Sequence, residues 1–218
     1  MSHSSISPQD LAPLIGTRRT PCIVDVRSDD EFGRNPLLIP GSVRRAPATV
    51  QTWGPEFADR TVVVSCGDGG GVSQGTSAWL RDAGIPALAL DGGFATWQSH
   101  GNLLTNAAAI PPSRDVNGRT VWVTRERPKF DRIACPWLIR RFVDPRAAFL
   151  FVEASQVASV AAHFDATPFD IEGVFWSHRG ETCSFDTMLF EFELGSAALD
   201  RLALIVRAAD TARLDLVP

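Results

Sequence analysis

The chain has 218 residues, 44% of them hydrophobic, and a formal net charge of −4 at pH 7, which allows one large or two small domains and argues against nucleic acid as a partner. No apolar stretch reaches membrane-spanning length, and the first residues lack the basic start and apolar core of a secretory signal, so we expect no membrane partner and no export. The four cysteines are widely spaced, include no CxxC pair and predict free thiols in a reducing cytoplasm.

Short apolar runs alternate with helical patterns in the first half of the chain, which predicts an α/β fold with a doubly wound parallel sheet and helices on both faces. The predicted strands are 22–26, 61–65 and 86–90, with an edge segment after the loop 39–42. The predicted helices begin at Ser7, which caps a helix to Ile15, at Ser28, at Ser73, which caps 74–83 before Gly84, and after Gly92 and Gly93.

Cys66 ends the apolar run 61–65 and is followed by a loop with four glycines before the next helix. Free backbone N–H groups at a helix N-terminus carry partial positive charge, and glycines let several of them point inward. The same field favours the thiolate of Cys66, so we predict a reactive cysteine, the alternative being a buried cysteine at a strand end. The predicted substrate-binding loop consists of Gly67, Asp68, Gly69, Gly70, Gly71, Val72 and Ser73.

The pattern lapses after Gly101, and the Ala-, Pro- and Asn-Gly-containing segment 106–118 is predicted to be a linker between domains 1–105 and 119–218. The second domain is predicted to be a smaller α+β domain. Its expected strands are 120–124, 149–152 and 174–177, and its expected helices are 133–143, 155–163, 185–192 and 197–208.

The first domain resembles the rhodanese family from residue 7 to about 105. The resemblance rests on Asp25-Val26-Arg27, on 39–42, on Cys66 with its loop, and on 91–97 with Gly101. It implies that Cys66 takes a sulfane sulfur from a donor such as thiosulfate and passes the persulfide sulfur to cyanide or a thiol, without a cofactor. Asp25 and Arg27 match family positions near the loop, where they hold structure or contact the substrate.

The loop departs from that family in two ways. Val72 stands where many members have an arginine or another polar residue, and the loop is one residue longer. Phosphatases of the same fold use the longer loop together with an arginine at its end, so Val72 argues against phosphatase activity. Asp68 adds a negative charge near the thiol, which opposes anion binding and suggests slow catalysis or a protein persulfide as the donor.

The second domain is similar to the C-terminal domain of the chromate-resistance ChrB family. The similarity rests on three unusual strings at 127–142, 178–186 and 207–211. It implies a link between the first domain and chromate resistance. The family domain continues with more helix after the third string, so the end at Pro218 is expected to mark a short version or a truncated one.

Two candidate sites lie in this second domain. His178, Glu181, Cys183 and Asp186 are metal-ligand types within nine residues and could hold zinc or iron; alternatively Asp186 caps a helix and Cys183 lies in the core. The basic residues Lys129, Arg132, Arg140 and Arg141 could bind chromate or sulfate; alternatively they form a solvated helix face.

Two classes of function follow. The first is a sulfurtransferase that serves a small-molecule sulfur donor and acceptor. The second is a non-catalytic sensor or regulator that binds chromate, another oxyanion or a metal, and the arginine-free loop favours it. A third, weaker hypothesis is chromate reduction by the thiols of Cys66 or Cys183.

Overall fold

The computed structural model describes residues 4–212 of the chain. It divides into two compact units, Met1–Thr105 and Asn106–Pro218. The expectations about a secretory signal and about the end at Pro218 concern in part residues 1–3 and 213–218, which lie outside the described residues.

The first unit alternates strands and helices along the chain. Its strands are β1 (Ser5–Ile6), β2 (Cys22–Asp25), β3 (Leu37–Leu38), β4 (Val43–Arg44), β5 (Val62–Ser65) and β6 (Ala87–Leu90), and β7 (Thr105–Asn106) lies at the boundary of the units. Its helices are α1 (Pro8–Leu11), α2 (Asp29–Arg34), α3 (Val50–Trp53), α4 (Gly71–Asp82) and α5 (Gly93–Ser99).

Five of these strands form a parallel sheet in the order β1-β6-β5-β2-β4. Because side chains alternate along β5, Val62 and Val64 pack under Trp53 and Leu80 on one face, whereas Val63 packs with α1 and α5 on the other. The predicted α/β fold with helices on both faces is confirmed, and β5 is its central strand. β1 was not predicted, because two residues carry no periodicity.

Most helix ends in the first unit have the capping residues that the sequence predicts. The Ser7 side chain accepts from the Asp10 N–H, Ser28 forms a capping box with Glu31, and Gly84 follows α4 at φ +80°. The prediction for Ser73 is wrong. Helix α4 begins at Gly71 with Gly70 as its cap, because the Ser73 hydroxyl donates to the Gly70 carbonyl and lies beside Cys66.

The second unit is built on a three-stranded sheet in the order β10-β8-β9. Its strands are β8 (Val121–Arg125), β9 (Ala148–Val152) and β10 (Thr167–Pro168), and its helices are α6 (Phe130–Leu138), α7 (Val157–His163), α8 (Ser184–Glu191) and α9 (Ala197–Asp210). All three strands run parallel, so the unit is α/β rather than the predicted α+β. The second unit spans residues 106–218 and the first spans 1–105, so the second is not, as was predicted, the smaller of the two.

The predicted strand 174–177 is wrong. Only an isolated bridge joins Trp176 to Phe169, and the chain is bent beforehand by Asp170 at φ +51° and Gly173 at φ +81°. Trp176 instead packs edge-on against Trp122 with ring centroids 5.6 Å apart, which places it in the aromatic core on one side of β8.

The predicted linker 106–118 belongs to the second unit. Ser113 is buried, its hydroxyl donates to the Val121 carbonyl over 3.3 Å, and it lies 2.9 Å from Thr167 Oγ1. Ser113 is therefore packed against β8 and β10, whereas Val116 in the same segment is fully exposed.

None of the helices within residues 4–212 combines the length and the apolar character that crossing a bilayer demands.

We expect Gly93→Ala to destabilise the first unit by about 2 kcal/mol or more, because Gly93 has φ +58° and a Cβ there would lie 2.4 Å from the Cys66 carbonyl oxygen. Gly75→Ala is the matched control: Gly75 lies within α4 with open space around its Cβ position, so alanine should stabilise by about 0.5–1 kcal/mol. Urea unfolding followed by tryptophan fluorescence measures both. Equal stability of the two variants would contradict the packing described for Gly93.

Candidate functional site

Cys66 lies at the carboxyl end of the central strand β5, where parallel α/β sheets place their ligands. The backbone is fixed at the start of the loop, since the Phe94 N–H donates to the Cys66 carbonyl over 2.8 Å and the Ala95 N–H donates to the Gly67 carbonyl over 2.9 Å. The residue is only 4% exposed. Cys66 is therefore buried and belongs to the apolar cluster that includes Val64 and Leu80, and α5 holds the start of the loop.

Two polar groups lie against the Cys66 sulfur. Its Sγ is 3.2 Å from Ser73 Oγ and 3.5 Å from Asp68 Oδ1. The single S–H proton can donate to one of them at a time. Cys66, Asp68 and Ser73 are thus brought together, as the sequence predicted for the loop.

The glycines of the loop serve different purposes. Gly69 has φ +74°, and a Cβ there would lie 2.5 Å from the Gly92 nitrogen, so this position needs glycine for close backbone packing. A Cβ on Gly67 would lie 2.7 Å from Glu31 Oε1. A Cβ on Gly71 would meet open space, so at that position the glycine keeps the start of α4 uncovered.

The first turn of α4 provides free donors beside the thiol. Among residues 4–212, no protein acceptor takes the backbone N–H groups of Gly71, Val72 and Ser73, whereas the Gly70 N–H donates to Asp68 Oδ1 over 2.9 Å. Val72 is 49% exposed and offers no side-chain donor. Any anion held at this loop is therefore held by backbone amides and the Ser73 hydroxyl.

Asp68 behaves as an internal anion at the loop. The Gly70 N–H, and then the Cys66 thiol, donate to its carboxylate and hold the pKa of Asp68 below its usual value. The side chain is exposed to solvent. It stays charged at neutral pH and takes one of the amides that a bound anion would otherwise use.

Asp25 and Arg27 form a buried ion pair beneath the loop. Arg27 Nη2 lies 2.6 Å from Asp25 Oδ2 and donates to the Leu37 carbonyl, and its guanidinium stacks 3.8 Å from the Phe94 ring centroid. Because the Arg27 donors are used within the protein, its contacts are structural. The pair braces the end of β2 against the start of α5, next to Cys66.

The four predicted metal ligands in the second unit are not brought together as one set. Asp186 caps α8 by accepting from the Cys183 N–H, and it makes a bidentate ion pair with Arg207. Cys183 is fully buried, and burial raises the pKa of its thiol. Glu181 is exposed. Of the predicted set, His178 faces three carboxylates, and the Cys183 side chain makes hydrogen bonds with Asp131 and Asp186.

The predicted basic cluster is also divided among different partners. Arg132 is buried with Nε 3.5 Å from Asp170 Oδ2, whereas Arg140 donates to the Ala147 carbonyl and stacks over the Phe149 ring. Two of the four cations are thus engaged with separate parts of the second unit.

A group that the sequence analysis missed surrounds His178. Its Nε2 lies 3.3 Å from Asp131 Oδ2, 3.4 Å from Asp170 Oδ1 and 3.3 Å from Asp210 Oδ2. We call these four residues the His178 cluster. Burial, and then the charge of Asp210, raises the pKa of Asp131 to about 6. The members come from distant segments, so no local spacing could have revealed them.

Comparison with known proteins gives a family for each unit. Residues 7–100 match the rhodanese-like domain family, and residues 122–218 match the family of the ChrB C-terminal domain. Protein ChrB of Cupriavidus metallidurans is 39% identical over 90 residues, which cover 41% of this chain and 26% of that protein. The chain thus spans about a quarter of the length of this relative.

Two solved structures are similar in fold to part of the chain. A protein of unknown function from Rhodopseudomonas palustris, described as a possible tyrosine phosphatase, has 25% identity and a TM-score of 0.41, covering 46% of this chain and 83% of its own. Thiosulfate sulfurtransferase from Pseudomonas aeruginosa has 21% identity and a TM-score of 0.40, covering 47% of this chain and 19% of its own.

The parallel sheet, the cysteine loop at its carboxyl edge and the match over residues 7–100 define the first unit as a rhodanese-like domain. The second unit matches the family of the ChrB C-terminal domain over residues 122–218. The chain therefore joins a rhodanese-like domain to a ChrB C-terminal domain.

We expect Arg207→Gln to lower the free energy of unfolding by about 1–2 kcal/mol at pH 7, because it removes both hydrogen bonds to Asp186. Burial raises the pKa of Asp186, but the hydrogen bonds from Arg207 and from the Cys183 amide outweigh it, so the pKa lies below 3.8. The stabilisation is therefore present above pH 3.8 and is lost as the pH falls below it.

The control for this prediction is Arg201→Gln, which removes an exposed arginine of the same helix α9. Urea unfolding at pH 7 and at pH 3 measures both variants. A loss for Arg207→Gln that is the same at both pH values would contradict the assignment.

Proposed function

We propose that the rhodanese-like domain is a sulfurtransferase in which Cys66 carries a sulfane sulfur from thiosulfate or a persulfide donor to cyanide or a thiol. The observation that supports it is the placement of Cys66 Sγ at the end of β5, beside the Ser73 hydroxyl and the first turn of α4 with its unused N–H groups. Such donors stabilise a thiolate and an anionic persulfide.

The reaction proceeds in two displacements at sulfur. The Cys66 thiolate attacks the outer sulfur of thiosulfate, a new S–S bond forms, and sulfite leaves with the electron pair of the old S–S bond. The acceptor then attacks the outer sulfur of the persulfide, and Cys66 leaves as thiolate. The thiol proton is lost to solvent before the first step and is not needed later.

Several loop groups have assigned roles in this proposal. The Ser73 hydroxyl, which donates to the Gly70 carbonyl in the resting protein, turns to donate to the thiolate 3.2 Å away. The amides of Gly71 and Val72 receive the terminal sulfur or the departing sulfite. Asp25 and Arg27 act through the backbone, as positioning residues that brace α5.

The wider role in this proposal is a contribution to chromate resistance in the cytoplasm. It rests on the match of residues 122–218 to the ChrB C-terminal domain and on the similarity to protein ChrB. Chromate is an oxidising oxyanion, and a cell exposed to it consumes reduced sulfur. In this proposal the transferred sulfur supplies part of that reduced sulfur. No membrane or nucleic acid is part of the proposal.

A second candidate is a non-catalytic sensor that binds an oxyanion such as chromate or sulfate. The observation that favours it is Asp68, whose carboxylate already accepts from the Gly70 N–H and lies 3.5 Å from the Cys66 sulfur. A loop that carries its own anion is a poor site for a second one. In this interpretation the first unit is a non-catalytic module, and the second unit senses the oxyanion or a metal.

We expect thiosulfate to add the mass of one sulfur atom to the full chain, as measured by intact mass spectrometry. Cys66→Ser should abolish this addition and the formation of thiocyanate from thiosulfate and cyanide. Cys22→Ser is the matched control, since Cys22 is a buried thiol of the same sheet and burial raises its pKa. Wild-type protein that gains no sulfur and forms no thiocyanate would overturn the proposed enzyme and leave the sensor.

We expect Asp68→Asn to increase the rate of Cys66 alkylation by iodoacetamide about fivefold, because it removes a charge that opposes the thiolate at 3.5 Å. Asp82→Asn, at the exposed far end of α4, should leave the rate unchanged. Peptide mass spectrometry over a time course measures the rate. An unchanged rate for Asp68→Asn would show that Asp68 does not restrain the thiol.

A further inference from the structure

The His178 cluster holds more negative charge than its own protons can balance. The neutral imidazole has one N–H, yet three carboxylate oxygens lie 3.3 to 3.4 Å from His178 Nε2. A proton on this nitrogen serves one carboxylate at a time. Asp131 also accepts a hydrogen bond from the Cys183 side chain, and Asp170 Oδ2 lies 3.9 Å from Arg125 Nη2 and 3.5 Å from Arg132 Nε, so two arginines offset part of the negative charge. Ligand atoms of Asp131, Asp170 and His178 all lie within 4.8 Å of one another, which is the spacing of groups around a single ion.

Hydrogen bonds outside the cluster fix two of its carboxylates. Asp131 Oδ2 accepts from the Ser184 N–H over 2.6 Å, and Asp170 Oδ1 accepts from the Ser184 hydroxyl over 2.8 Å. One residue at the start of α8 thus orients both groups. Outer hydrogen bonds of this kind are what aligns ligands around metal ions in proteins.

A separate observation shows that an acceptor is missing beside the cluster. The Arg132 side chain is only 7% exposed, its Nε lies 3.5 Å from Asp170 Oδ2 without a hydrogen bond to it, and this buried N–H has no hydrogen-bond acceptor among the described residues. Leaving a buried donor without an acceptor is costly, and nearly all such donors are satisfied in native proteins. An additional oxygen next to Asp170 would satisfy it.

We propose that the His178 cluster binds one divalent cation through Asp131, Asp170 and His178, with Asp210 beside them, and that an oxygen ligand of this cation accepts the Arg132 N–H. The cation balances the carboxylate charge, and a bound water supplies the missing acceptor. His178 is 41% exposed, so the ion reaches the cluster from solvent along its imidazole.

The donor set selects the class of ion. One imidazole nitrogen with carboxylate oxygens suits first-row divalent ions such as Mn²⁺ and Fe²⁺, and the general affinity order places Zn²⁺ above both. Mg²⁺ and Ca²⁺ prefer oxygen alone and should bind more weakly. The site differs from the set expected from the sequence, because Cys183 and Asp186 are not members and only His178 is shared.

The experiment titrates chelator-treated full chain with MnCl₂. Free Mn²⁺ is followed by electron paramagnetic resonance, and the heat of binding is followed by calorimetry. We expect one ion per chain, with ZnCl₂ competing and MgCl₂ competing weakly. His178→Ala should weaken binding at least 10-fold, and Asp170→Asn should do the same.

Matched controls separate this site from adventitious binding. His163→Ala removes an exposed histidine of the same unit, and Asp200→Asn removes an exposed carboxylate of α9. Both should bind Mn²⁺ as the wild type does. Arg132→Gln should keep the stoichiometry and weaken binding less than the ligand variants.

Three outcomes would overturn the proposal: no one-to-one binding by the wild type, equal affinity in His178→Ala and His163→Ala, or a loss of affinity shared by all variants. Far-ultraviolet circular dichroism of each metal-free variant identifies those that keep the fold. His178 is the primary position, because its exposed side chain can be removed without opening the core. The readout is binding alone, so its outcome is independent of sulfur transfer at Cys66.

Discussion

The close packing of the Cys66 loop against the start of α5 is the constraint on which the first unit depends. A Cβ on Gly93 would lie 2.4 Å from the Cys66 carbonyl oxygen and 2.4 Å from the Gly69 nitrogen. The backbone at the start of α5 therefore packs directly against the backbone of the Cys66 loop, with no side chain between them. This contact holds Cys66 at the end of the central strand and leaves the first turn of α4 uncovered. The anion-binding potential of the loop comes from this placement of backbone, rather than from any arginine.

Both units place carboxylates close to their candidate functional groups. At the Cys66 loop, the exposed Asp68 carboxylate accepts the Gly70 N–H and lies 3.5 Å from the thiol. In the His178 cluster, Asp131 and Asp170 are buried and oriented by Ser184. Buried and oriented carboxylates of this kind suit a cation.

The sequence predicted those features that local signals encode. Apolar runs of four residues marked the strands beside Cys66, and Ser7, Ser28 and Gly84 marked helix ends, whereas the predicted cap at Ser73 was wrong. The two-residue strands β1 and β10 carry no periodicity and were missed. In the nine-residue window at 178–186, Asp186 serves as a helix cap and ion-pair partner, so the four predicted residues are not brought together as one set. The His178 cluster combines segments between 131 and 210, which only the tertiary fold brings together.

The central claim is that backbone donors at the start of α4 hold a sulfur species on Cys66. The most direct test is a crystal soaked in thiosulfate and measured at a wavelength where sulfur scatters anomalously. The account predicts a second sulfur bonded to Cys66 Sγ, within hydrogen-bond distance of the Gly71 and Val72 amides, and an Asp68 carboxylate displaced from the Gly70 N–H. An unmodified sulfur with Asp68 still in place would contradict it.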